Sequence, residues 1–186
     1  MGLRKKIKKF LYQRKFHKNN FQLNINNKNI LVTGGNSGIG LALTKNLLAL
    51  NNKVISTYRD DGQNLKAIID SNLLVVKLDQ SDINNFNDFE KKIEETTIDI
   101  IINCAGVFGG NFEEQKIENI DFKKFQKVLM VNSISILNII KIILNKKKNK
   151  NKLELIINIS SDAGSINQNK DGDAYIYRTS KSALNS

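Results

Sequence analysis

Short apolar runs alternate with segments of helical spacing along this chain, and this alternation limits the fold more than any other feature. Five runs have the length and composition of buried strands: NILVTGG, KVISTY, LLVVKLD, IDIIINCAG and LELIINIS. Helical patterns separate them: IGLALTKNLLALNN, QNLKAIIDS, INNFNDFEKKIEETT and one long helix from Asp121 to Leu144, with a last helix from about Asp173. Strands that alternate with helices predict an α/β fold, a doubly wound parallel sheet with helices on both faces.

The positive charge of the chain is concentrated at its beginning. The 186 residues carry a net charge of +11, yet residues 1–20 hold eight Lys and Arg and no acidic residue, which leaves +3 on the other 166. We therefore divide the chain into a basic N-terminal extension, residues 1–27, and one domain, residues 28–186.

The extension has two interpretations. Leu3, Ile7 and Phe10 fall at helical spacing among lysines, so a short amphipathic helix could contact a membrane surface or nucleic acid. The alternative is a solvated extension, because so short a segment is only marginally helical alone. We favour the alternative and expect no specific nucleic acid partner, with peripheral membrane contact by the basic N-terminus as the less favoured interpretation.

Targeting and redox signals favour a cytoplasmic protein. The basic start is not followed by an apolar run of signal-peptide length, and no stretch predicts a membrane span. Cys104 is the one cysteine, which excludes an intrachain disulfide and fits a reducing compartment.

A glycine-rich turn, TGGNSGIG, joins the first predicted strand to the first helix. Glycine allows the backbone to turn tightly and to approach a pyrophosphate closely, and a helix N-terminus offers free N–H groups to phosphates. In this context of strand, turn and helix, the motif predicts a dinucleotide site.

The TGxxxGxG spacing resembles that of the short-chain dehydrogenase/reductase family, and three later motifs agree with it. LDQSD resembles the family's aspartate after the third strand, NCAG its NNAG motif, and YRTSKSALN its carbonyl-reductase and C-factor-like branch. Cys104 departs from the family, where asparagine is usual. The resemblance implies a Rossmann-like fold and these cofactor-binding residues: Gly34, Asn36, Ser37, Gly38, Ile39, Gly40, Arg59, Asp79, Asn103, Ala105, Gly106, Tyr177 and Lys181.

The same resemblance implies a catalytic set of Asn132, Ser161, Tyr177 and Lys181, with Ser160 the less favoured serine. Tyr177 and Lys181 lie one helical turn apart, and an ammonium at that distance stabilises a phenolate. Tyr177 would exchange a proton with the substrate oxygen, and Ser161 would stabilise the charge that develops there. Asn132 would hold a water that connects Lys181 to solvent.

The end of the second strand predicts which nicotinamide cofactor binds. Family members that prefer NAD often carry an acidic residue there; here the position is Thr57 or Tyr58, followed by Arg59. A guanidinium suits the 2′-phosphate of NADP, although Asp60 adds negative charge nearby. We expect NADP, with NAD as the alternative.

The function that the resemblance implies is hydride transfer between NADP(H), or NAD(H), and a small carbonyl or alcohol substrate, without a metal ion. The family continues well past the YxxxK motif, so the resemblance indicates a C-terminally truncated sheet, and the full-length form could be a homo-oligomer. The alternative is a truncated nucleotide-binding or signalling protein with little catalytic activity.

Overall fold

The computed structural model of the protein describes residues 25–170 and 172–186. Residues 1–24, which hold most of the basic extension and both of its interpretations, lie outside the described residues. Within them, five strands form one parallel sheet in the order β3-β2-β1-β4-β5. The strands are β1 Asn29–Val32, β2 Lys53–Tyr58, β3 Leu73–Lys77, β4 Ile100–Asn103 and β5 Leu155–Asn158.

Among the residues that the structure describes, six α-helices connect and cover these strands. They are α1 Gly38–Ala49, α2 Gln63–Lys66, α3 Phe86–Ile93, α4 Phe122–Leu129, α5 Ser135–Asn145 and α6 Tyr175–Asn185. Short 3₁₀ turns lie at Ile83–Asn85, Glu113–Gln115, Ile117–Asn119, Lys147–Asn149 and Asp162–Gly164. The predicted doubly wound parallel sheet is confirmed.

Alternate residues of each strand belong to two cores, one on each face of the sheet. Leu31 and Ile101 face a core completed by Phe89 of α3 and Ile139 of α5. Their strand neighbours face the second core, which α1 closes; its buried members are Ile30, Val32, Leu47, Leu48, Val54, Ile100 and Ile102. Because both faces are covered, the central strands β1 and β4 are apolar along most of their length, as buried parallel strands require.

Two predicted helices differ from the structure. QNLKAIIDS forms only the single turn Gln63–Lys66: Leu65 is buried and Ile68 packs against the second core, but Ile69 is fully exposed and the helix does not continue. The long helix from Asp121 is continuous but changes to a π-helical turn at Met130–Ile134, between α4 and α5. Asn132 lies in the middle of that turn, and such turns occur often at functional sites.

The helical stretch Phe122–Asn145 has the length and hydropathy of a membrane span, with a window mean of 1.8, contrary to the sequence prediction that no stretch would qualify. Buried residues of its second half, among them Ile139 and Ile143, pack against the sheet. A core helix of this fold satisfies the same test of length and composition.

Candidate active site

A cleft of about 510 Å³ opens at the carboxyl edge of the sheet, within the size range of small-molecule sites. Its walls come from segments that follow all five strands, together with α6. The residues that line it are Gly34, Asn36, Ser37, Gly38, Ile39, Gly40, Thr57, Tyr58, Arg59, Asp60, Leu78, Asp79, Gln80, Cys104, Ala105, Gly106, Val107, Phe108, Val131, Ile159, Ser160, Tyr177 and Lys181. Ligands bind at this edge in open α/β sheets.

The glycine turn forms the floor of one end of the cleft. Gly34 has a φ of +68°, and a Cβ there would lie 2.8 Å from the Cα of Ala105, so a side chain does not fit. Gly38 has a φ of +50°, and a Cβ on it would have no atom within 4 Å. The Ser37 side chain does not cap α1, which leaves the N–H groups of the first turn to the cleft. The turn therefore offers an anion an open backbone surface and a positive helix end.

Charged residues after β2 and β3 line the same end. Arg59 is already paired: its Nε lies 3.0 Å from Asp60 Oδ1, and its Nη2 lies 2.9 Å from Asp60 Oδ2. This hydrogen bond lowers the pKa of the Asp60 carboxyl. Asp79 accepts hydrogen bonds from both the backbone N–H and the hydroxyl of Ser81. Thr57 is buried and accepts from the N–H of Gly34, so it supports the glycine turn.

Asn103 and Cys104 point to opposite sides of β4. Asn103 is 2% exposed, donates its amide to Asn158 Oδ1 at 2.8 Å, and is not among the residues of the described chain that line the cleft. Cys104 lines the cleft instead. Of the thirteen residues expected to bind cofactor, Asn103 is thus the one that the structure places away from the cleft, joining β4 to β5.

Cys104 lies near Lys181, which the sequence did not indicate. Burial raises the pKa of the Cys104 thiol, and the Lys181 charge opposes this shift without reversing it. The thiol is therefore a poor nucleophile at neutral pH.

Tyr177 and Lys181 lie together on the wall of the cleft, as the one-turn spacing predicts. The Lys181 ammonium is 5.8 Å from the centre of the Tyr177 ring and donates to the carbonyl of Ile159 at 2.9 Å. Lys181 is only 5% exposed, and burial lowers the pKa of its ammonium. The buried ammonium and the Tyr177 ring thus lie side by side on α6.

Asn132 is fully buried and joins the loop after β4 to α6. Its Oδ1 accepts from the N–H of Val107 at 2.9 Å, and its Nδ2 donates to the carbonyl of Val107 and to Ser180 Oγ. A Cβ added to Gly106 would lie 3.5 Å from Asn132 Oδ1 and 3.6 Å from Lys181 Nζ. The amide thus lies near the lysine but is occupied with the backbone.

Ser161 turns its hydroxyl away from the other predicted catalytic residues. It donates to Asp162 Oδ1 at 2.9 Å and accepts from the N–H of Ala163, which caps the turn Asp162–Gly164. Of the two adjacent serines in the described chain, Ser160 lines the cleft and Ser161 does not. Hydrogen bonding to Ser161 is the main cause that lowers the pKa of Asp162.

Sequence reasoning missed several residues of this site. Val107, Phe108 and Gln80 line the cleft, and Gln115 contacts Tyr177 from behind it. Val107, Phe108 and Gln115 lie between β4 and α4, where the sequence shows no periodicity that would place them.

Comparisons with known proteins agree with the fold. Residues 28–186 match the short chain dehydrogenase family. The NADPH-bound carbonyl reductase from chicken fatty liver is 32% identical with a TM-score of 0.73, and the match covers 86% of this chain and 71% of that one. A protein described as a carbonyl reductase, Sniffer of Caenorhabditis elegans, is 28% identical with a TM-score of 0.75, over 85% and 75% of the two chains.

A curated relative uses the other cofactor. The 15-hydroxyprostaglandin dehydrogenase [NAD(+)] of Rattus norvegicus is 31% identical over 153 residues, which is 76% of this chain and 53% of that enzyme. The chain spans about half the length of several curated relatives, between 44% and 52%. With the family match over residues 28–186 and the parallel sheet, this chain belongs to the short-chain dehydrogenase/reductase family.

Proposed function

We propose that the chain is an oxidoreductase that transfers hydride between NADP(H) and a small carbonyl or alcohol substrate, with Asn132, Ser161, Tyr177 and Lys181 as its active site. The observation that carries the proposal is the Tyr177–Lys181 pair. A phenol and a buried ammonium lie one helical turn apart on the wall of a cleft whose other end is an open glycine turn.

The cleft suits a dinucleotide. Gly38 leaves open space where a side chain would stand, and the uncapped start of α1 faces that space with positive polarity. Between the glycine turn and Lys181 the cleft is lined by Ala105 and Gly106, two small residues that leave room for a ligand. A nicotinamide cofactor bound there would supply or accept the hydride.

The chain's own residues would handle the proton and the charge. Tyr177 would donate a proton to the substrate oxygen during reduction and accept it during oxidation. Lys181 would stabilise the phenolate form and bind the nicotinamide ribose. Ser161 would hydrogen-bond the substrate oxygen after its hydroxyl rotates away from Asp162, and Asn132 would position the loop at Val107.

Arg59 and the chicken relative support NADP over NAD. A guanidinium at the end of β2 can bind a 2′-phosphate, whereas an acidic residue at that place would repel it. The chicken carbonyl reductase, 32% identical, holds NADPH, although the rat relative is named for NAD⁺.

The first prediction tests the proton donor. Tyr177→Phe should abolish reduction of carbonyl substrates, because the ring keeps its packing but loses the transferable proton. NADPH should still bind. The measurements are NADPH oxidation by absorbance with a panel of ketones and aldehydes, and NADPH titration by fluorescence.

Tyr175→Phe is the matched control, since Tyr175 lies on the same helix but does not line the cleft. Its turnover should equal that of the unmodified chain. Equal turnover in Tyr177→Phe would contradict the proposal.

A second candidate function is nucleotide binding without turnover, which the hydrogen bond between Ser161 and Asp162 favours. It would be supported if the unmodified chain binds NADPH but reduces no carbonyl.

A further inference from the structure

Gln115 is a buried polar side chain to which no sequence motif assigns a role. It ends the turn Glu113–Gln115 and is 0% exposed. Burying an amide is unfavourable unless its donor and its acceptor both find partners. The partners of Gln115 therefore indicate what the side chain does.

The amide of Gln115 joins two residues of the cleft wall. Its Nε2 donates to the carbonyl of Phe108 at 3.0 Å, and its Oε1 accepts from the N–H of Tyr177 at 2.9 Å. The rings of these same two residues are in contact, with centroids 4.9 Å apart and planes at 49°. Gln115 thus fixes the backbone beneath a ring contact that faces the cleft.

Helix α6 requires this bond because it has no cap of its own. The residue before it, Ala174, has a φ of +48° and makes no side-chain hydrogen bond to the helix. Tyr177 is the third helical residue, and its N–H has no acceptor within the helix. A Ser, Thr, Asp or Asn at position 174 would ordinarily accept this hydrogen bond; here Gln115 accepts it from another segment.

Asn132 makes a parallel connection one residue away. It joins the backbone of Val107 to Ser180, as Gln115 joins the backbone of Phe108 to Tyr177. Two buried amides therefore hold consecutive loop residues against two positions of α6, one on the Tyr177 turn and one beside Lys181.

We propose that Gln115 is a positioning residue for Tyr177, which holds the phenol at the cleft by capping α6 at the N–H of Tyr177. The inference rests on the proposed function, since the phenol matters only if Tyr177 exchanges a proton. Gln115 acts through the backbone and touches neither substrate nor cofactor.

The experiment compares three variants of the full chain. Gln115→Leu removes both hydrogen bonds, whereas Gln115→Glu keeps an acceptor for the N–H of Tyr177. Asn149→Leu is the matched control: Asn149 is 1% exposed, accepts from the N–H of Ile98 and donates to its carbonyl, at the opposite edge of the sheet. It loses a comparable pair of hydrogen bonds far from the cleft.

Two measurements do not depend on activity. In Gln115→Leu, hydrogen exchange at the amide of Tyr177 should accelerate about tenfold relative to Asn149→Leu, and the nuclear Overhauser contact between the rings of Phe108 and Tyr177 should disappear. Gln115→Glu should keep the protection. Unchanged exchange and an intact ring contact in Gln115→Leu would overturn the inference.

The third measurement is turnover. In Gln115→Leu, kcat should fall about tenfold or more, because a small misplacement of a catalytic group has effects of this size. The NADPH dissociation constant should stay unchanged, and Gln115→Glu should restore part of kcat. A kcat equal to that of Asn149→Leu would contradict the inference. If the unmodified chain reduces no carbonyl, the proposed function fails, and exchange and ring contact alone decide the role of Gln115.

Discussion

Arg59 lines the cleft, and its guanidinium forms an ion pair with the Asp60 carboxylate. Both side chains are more than half exposed, at 56% and 73%, and an ion pair at such exposure contributes roughly 0–1 kcal/mol. A doubly charged 2′-phosphate offers stronger hydrogen bonds and can displace the carboxylate. Asp60 is therefore a weak competitor for the residue that would select NADP.

This competition gives a prediction for two variants. Arg59→Gln should weaken NADPH binding about tenfold or more, since a hydrogen bond to a charged group is worth about 1.5–3 kcal/mol, and should leave NADH binding unchanged. Asp60→Asn should tighten NADPH binding by about two- to fivefold, because NADPH then no longer has to break the exposed Arg59–Asp60 ion pair, which is worth roughly 0–1 kcal/mol. Isothermal titration with both cofactors measures this, and equal shifts for NADPH and NADH in Arg59→Gln would contradict it.

Among the elements, the glycine turn is the one whose sequence the backbone dictates most strictly. A Cβ on Gly40 would lie 2.3 Å from the carbonyl oxygen of Gly34, and backbone atoms cannot yield at that distance. A Cβ on Gly38 would meet open space, so only its positive φ opposes a side chain there. The two glycines therefore serve different purposes, packing at Gly40 and access at Gly38.

The matched substitutions Gly40→Ala and Gly38→Ala separate these purposes. Gly40→Ala should lower the free energy of unfolding by about 1–3 kcal/mol, as overpacking does. Gly38→Ala should cost about 1–2 kcal/mol through its backbone conformation and should in addition weaken NADPH binding, because its methyl group enters the cleft. Urea unfolding and NADPH titration of both variants measure the two effects, and a Gly38→Ala chain with unaltered NADPH affinity would count against the cleft as the cofactor site.

At the scale of the whole molecule, the cleft is where the separate segments meet. Its lining draws on the glycine turn, on residues that follow every strand, and on α6. A ligand that fills it contacts both halves of the sheet, so its binding free energy adds to the stability of the entire fold by mass action.

The prediction is a thermal shift. NADPH at a hundred times its dissociation constant should stabilise the folded chain by about 2.7 kcal/mol, which raises Tm by roughly 5–10 °C for a domain of this size. Differential scanning calorimetry with and without NADPH measures the shift, and it requires no turnover. A Tm that neither NADPH nor NADH changes at millimolar concentration would contradict cofactor binding by this chain.

The sequence predicted the alternation of strands and helices, and with it the parallel sheet, because each element shows its own residue spacing. It predicted the pairing of Tyr177 with Lys181 because the two residues lie one turn apart on a single helix. Successive strand residues point to opposite sides, but the sequence could not show which of Asn103 and Cys104 faces the cleft, since that requires the position of the end of β4 against the cleft. It also missed Gln115, whose partners Phe108 and Tyr177 lie 7 and 62 residues away. Contacts between irregular segments carry no periodic signal.

Asn132 and Gln115 hydrogen-bond to the loop after β4 only through main-chain atoms, those of Val107 and Phe108 respectively. Main-chain atoms are the same for every amino acid except proline, so these hydrogen bonds do not depend on the side chain at position 107, whereas Phe108 in addition packs its ring against Tyr177. Substitutions at position 107 can therefore change the shape of the cleft while the hydrogen bonds from Asn132 are kept, so this position is suited to altering which ligands the cleft accepts.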